Sequence, residues 1–116
     1  MIAYLTDHSS ERLKERVGLP KRAHRRMAKL AMKRGFSPAA ASGEFRFWLD
    51  SEAFYGDTEE DRRNVMLRVH GYKLYVFRRR RHTRSRNAYA LLITVLNIPK
   101  KLWKAVDSAR LSSEPS

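Results

Sequence analysis

With 116 residues, 42% of them hydrophobic and 10% aromatic, the chain is long enough to bury a core of its own, which excludes a disordered tail. It has no cysteine, so disulfides and thiolate zinc sites are excluded, and a reducing, cytoplasmic setting is expected. A formal charge of +13 favours nucleic acid as the partner, then an acidic protein surface, and a membrane surface least.

In chain order, Met1 to Leu5 is a short apolar arm suited to an edge strand, without the charged and apolar blocks of a secretory leader. Asp7 is a good N-cap, and Ser9 to Val17 has helical composition with Leu13 and Val17 on its buried side. His8, Arg12 and Arg16 follow one another at i, i+4 and i+8 as a second stripe beside that side. Gly18 to Pro20 breaks this helix and starts another, which should run to Arg34 with Gly35 as its C′ residue. Ala23, Met27, Leu30 and Ala31 share one face of the second helix, and Arg22, Arg26, Lys29 and Lys33 share another.

Ser37 to Gly43 reads as a connection. Glu44 to Tyr55 fits a helix face through Phe45, Trp48, Leu49 and Ala53, and a strand through Phe45, Phe47 and Leu49; the helix is preferred. Gly56 to Arg62 is an acidic loop. Val65 to Val69 alternates as a half-buried strand, and Gly71 turns it into Lys73 to Phe77 as an antiparallel hairpin. Arg78 to Arg81, His82, Arg84 and Arg86 cannot be buried together, so they form an exposed loop or an extended hairpin tip. Ala88 to Leu96 is a longer strand, apolar on both faces and therefore central. Lys101 to Leu111 suits a last short helix. Residues 1–111 thus form a single basic α+β domain, and residues 112–116 should fray.

The series His8-x-x-x-Arg12-x-x-x-Arg16-x-Gly18, a second helix, a β meander and the closing Leu92-Ile93-Thr94-Val95-Leu96-Asn97 resembles small phage and mobile-element proteins of the RelE-like group. That group is also described as the barnase–EndoU–colicin–RelE ribonucleases. The resemblance implies two N-terminal helices packed on a curved antiparallel β meander, with RNA cleaved on the sheet without metal or cofactor. It implies His8, Arg12 and Thr94 as the catalytic positions, with Arg16 and Asn97 beside them. RNA, possible association with the ribosome and an acidic antitoxin partner are implied as well. The arginine stretch has no counterpart in the pattern.

Metal-independent cleavage uses the ribose 2′-hydroxyl as nucleophile, so the protein has only to move protons and stabilise charge on phosphorus. A histidine does the first, and an arginine fork does the second. Each residue also has a plainer use: His8 as a cap, Arg12 and Arg16 as partners of Glu11 and Glu15, Thr94 as a β-former. Strict alternation places Thr94 with Ala90, Leu92 and Leu96, and Asn97 on the other side. His24, His70 and His82 show no metal spacing, and His82 is read as a phosphate contact. Three functions follow: a RelE-like ribonuclease, a non-catalytic module binding RNA or DNA, and a basic protein that grips an acidic host protein.

Overall fold

The computed structural model describes residues 2–5, 10, 11, 13–15, 18, 21–52 and 58–113. Its sheet is built from β1 (Ile2–Leu5), β2 (Val65–His70), β3 (Lys73–Arg81) and β4 (Ala88–Asn97), in the order β1-β4-β3-β2. The helices are α1 (Lys21–Arg34), α2 (Gly43–Glu52), α3 (Glu59–Arg63) and α4 (Trp103–Ser113). Residues 10, 11 and 13–15 are helical too.

The fold is α+β, and its sheet is mixed: β2-β3-β4 is an antiparallel meander, but β1 lies parallel to β4. The expected all-antiparallel sheet is corrected here. A parallel neighbour needs a crossover, and the long helical connection between β1 and the meander supplies one. Nor are the helices all N-terminal. One face of the sheet packs Ala3, Tyr75, Phe77, Leu92 and Val95 against Leu13 and against Ala28 and Ala31 of α1. The other packs Leu67, Val69, Leu74 and Val76 against Phe45 and Leu49 of α2 and Val106 and Ala109 of α4. The two central strands are therefore covered on both sides, which is why their sequences are almost continuously apolar.

Along α1, His24, Ala28 and Ala31 are buried, while Met27 and Leu30 are only half-buried. The small alanines let the helix come close to the sheet. Gly35 ends it with its N–H on the Ala31 carbonyl at 2.9 Å, and Phe36 then pairs with Val69 through two backbone hydrogen bonds. A Cβ on Gly35 would meet the Ala31 oxygen at 2.4 Å and the Val69 oxygen at 3.0 Å, so glycine is required by this close approach.

The β2–β3 hairpin turns through Gly71 (φ 57°) and Tyr72 (φ 60°), the left-handed pair of a type I′ turn. Tyr72 is an unusual residue there, and tertiary contacts hold it. Its ring stacks on Trp103 at 4.5 Å, and its hydroxyl donates to Asp107 at 2.7 Å. Part of the acidic segment forms α3 instead of a loop, and α4 extends through Ser113, two residues into the expected frayed tail.

Val76 faces Thr94 across the β3–β4 ladder, but Phe77 faces Leu92, so Ile93 is an extra residue in β4. This bulge inverts the alternation within one strand. Ala90 and Leu92 face α1, whereas Thr94, paired with Val76, and Leu96, paired with Leu74, face α2 and α4. The expected grouping of Thr94 with Ala90 and Leu92 is overturned by that single insertion.

Candidate nucleic-acid interface

β3 carries its pairing with β4 beyond the end of β2. Val65 is opposite Arg78, the Arg79 N–H donates to the Asn64 carbonyl at 2.7 Å, and Arg80 and Arg81 pair with Tyr89 and Ala88 alone. Arg78 to Arg81 are thus strand residues of an extended hairpin, the second of the two forms expected of them, and not an exposed loop. Cross-strand pairing satisfies their backbone while the side chains reach water. Arg79, Arg80, Arg81, Arg84 and Arg86 are exposed, and Arg78 is half-buried.

The tip is closed by its own backbone: the His82 N–H donates to the Asn87 carbonyl and the Arg86 N–H to the His82 carbonyl, both at 3.0 Å. Arg86 takes φ 58°, the left-handed conformation that lets the chain reverse. Among the described residues, no ion pair engages any of these six arginines. Glu44, Asp50 and Asp107 pair instead with Lys101, Arg46 and Arg110, on the side of the sheet that α2 and α4 cover. A cavity of about 380 Å³ lies at the open edge of β3, lined by Glu60, Asn64 and Arg78 to Arg81. The Arg78 Nε is buried beside it with no hydrogen-bond partner.

The hairpin also carries rings. His82 and Tyr89 lie 4.6 Å apart at 32°, and Tyr4 of β1 meets both edge-on, at 6.4 and 5.3 Å. The Arg25 guanidinium of α1 sits 5.8 Å from the centre of the Tyr4 ring. Arg25, Arg26, Lys29, Lys33 and Arg34 are exposed along α1, which covers the face of Ala3 and Ala90; Tyr4 and Tyr89 alternate onto the other face. Tyr4 escaped the sequence reading, because nothing local shows that an N-terminal strand will pair with the last one. Tyr75 and Phe77 are buried in the core and offer no ring to a ligand, and Tyr72 is engaged with Trp103 and Asp107.

His8, Arg12 and Arg16 lie outside the described residues. Of the described residues near them in sequence, Leu13 is buried on the α1 side of the sheet, and Ser10 Oγ shares a 2.6 Å hydrogen bond with Nδ1 of the buried His24. Thr94 is buried on the opposite face. Asn97 is exposed at the far end of β4, where it accepts from Lys73 Nζ at 2.6 Å.

A larger cavity, about 730 Å³, sits at that far end among Arg34, His70, Tyr72, Asp107 and Arg110. Burial, and then the Arg34 charge, lower the pKa of His70 there, and Asp107 is taken by Tyr72 and Arg110. Among the described residues no group of three or more histidines and carboxylates is placed to hold a metal ion. No helix among them is long and apolar enough to cross a membrane. Comparison of the chain with protein-family models, curated proteins and solved structures returned no match.

Proposed function

We propose that the protein is an RNA-binding module that grips a single strand along the β3–β4 hairpin. The observation that carries this reading is the row of arginines, Arg78 to Arg81 with Arg84 and Arg86, unpaired among the described residues on one rigid hairpin. Arginine presents a planar fork to phosphate oxygens, and a backbone-closed tip keeps those forks near one another without ordering a loop on binding. An acidic protein would also be attracted by the charge, but it would not need aromatic rings interleaved with the cations. The test is binding of a labelled single-stranded RNA across a salt series. Log affinity should fall linearly with log salt, and replacing Arg79, Arg80, Arg81 and Arg84 with serine should lower both affinity and slope. Unchanged affinity at low salt would refute the reading.

A second reading makes the same module a RelE-like endoribonuclease, and the way the first helical segment is anchored favours it. Leu13 is buried against the sheet, and Ser10 is hydrogen-bonded to His24 of α1, both close in sequence to His8 and Arg12. In this reading His8 moves the proton of the attacking 2′-hydroxyl or of the leaving 5′-oxygen, and Arg12 stabilises the phosphorane. Thr94, facing α2 and α4, is assigned no step. RNA cleavage in EDTA that disappears in His8→Ala, with RNA affinity retained, supports catalysis. Binding without cleavage leaves the module alone.

A further inference from the structure

We propose that His82, backed by Tyr89 and Tyr4, is a stacking platform for one unpaired base of the bound strand. The inference rests on the RNA-binding reading and gives that site a second kind of contact beside phosphate.

His82 and Tyr89 form a tilted stack, so one face of the imidazole is occupied by the phenol ring. Tyr4 stands perpendicular to both rings and buttresses them from their edges. His82 itself is exposed, and among the described residues no ring other than Tyr4 and Tyr89 contacts it. Its outward face therefore extends the stack toward solvent, where a planar base can be added as the next member.

The ring is also held in place. The His82 backbone is fixed at both its N–H and its carbonyl by Asn87 and Arg86, so a base docks on it with little ordering cost. Arg80 lies directly across the ladder from Tyr89, and Arg84 and Arg86 follow His82 in the tip. These place cations beside the ring for the flanking phosphates. A ring contact of this kind needs the base out of a duplex, so the occupant is single-stranded nucleic acid and not a helix. The Arg25 guanidinium, 5.8 Å from the centre of the Tyr4 ring, adds a further cation near the platform.

The test compares two labelled probes of equal length and charge, an adenine oligoribonucleotide and its abasic counterpart. The intact protein should prefer the adenine probe by roughly 5- to 150-fold, the value of one stacked base. His82→Gln, which keeps a polar side chain and removes the ring, should bring that preference close to unity, and His82→Phe should retain it. A 2-aminopurine substituted into the adenine probe should be quenched on binding to the native protein and to His82→Phe, and much less on binding to His82→Gln. Circular dichroism of each variant checks that the tip substitution leaves the fold intact. Equal, salt-dependent binding of both probes by the native protein would overturn the platform and leave the RNA-binding reading standing. A preference that survives in His82→Gln would place the stacking elsewhere and overturn it as well. Failure of the native protein to bind either probe would overturn both.

Discussion

Alternation along β3 makes a prediction about which side of the hairpin the strand follows. Arg78 and Arg80, paired with Leu91 and Tyr89, project to one face; Arg79 and Arg81, paired with Ala90 and Ala88, project to the other. A single strand on the Tyr89 side meets the first pair and misses the second. Each phosphate contact to a single strand contributes about 0.7 to the slope of log affinity against log salt. Arg78→Ser/Arg80→Ser should thus flatten the slope by about 1.4, and Arg79→Ser/Arg81→Ser by much less. Between 50 and 200 mM salt, a fourfold change, that difference makes the native protein lose about sevenfold more affinity than the first double variant. The second should track the native protein. Fluorescence anisotropy of a labelled single-stranded RNA over the series measures both slopes. Stability should hold in each case. Arg79 to Arg81 are exposed, and the Arg78 Nε has no hydrogen-bond partner to strand when the side chain is removed. An equal effect of the two pairs, or a larger one from Arg79 and Arg81, would refute a path over Tyr89.

Three further outcomes test the fold that presents the site. Gly35→Ala should destabilise the protein by about 1–3 kcal/mol in urea unfolding, because the new Cβ collides with two carbonyl oxygens that cannot move independently of α1 and β2. Leu74→Ala, at a fully buried position, should cost about 2–5 kcal/mol, whereas Ile93→Ala, at the half-buried bulge, should cost clearly less; equal costs would place Ile93 in the core. Burial pushes the Tyr75 phenol from 10.0 up to about 12. Between those values the unfolded chain ionises while the native one stays protonated, so stability should fall as pH rises from about 10 to 12. Tyr75→Phe should lack that part of the alkaline loss when thermal midpoints are compared across the range.

The strands β2, β3 and β4, the helix ending at Gly35 and the exposed basic hairpin were legible in the sequence, because each rests on local physics. Alternation and apolar runs mark the strands, glycine marks the helix end, and clustered guanidinium groups have to stay in water. The preference for a helix from Glu44 onward also held, through the spacing of Phe45 and Leu49, both buried against the sheet. What local pattern does not carry is pairing between distant segments. Whether β1 would lie parallel or antiparallel, and beside which strand, depends on a crossover of helices and on which edge is left open. For that reason Tyr4 came to Tyr89 and His82 unannounced. The face of Thr94 was equally out of reach of periodicity: one extra residue at Ile93 turns the rest of β4 over, and only the hydrogen-bond ladder with β3 records it. Composition determined that this protein carries a strong positive field; the pairing of its first strand with its last decided which rings stand inside that field.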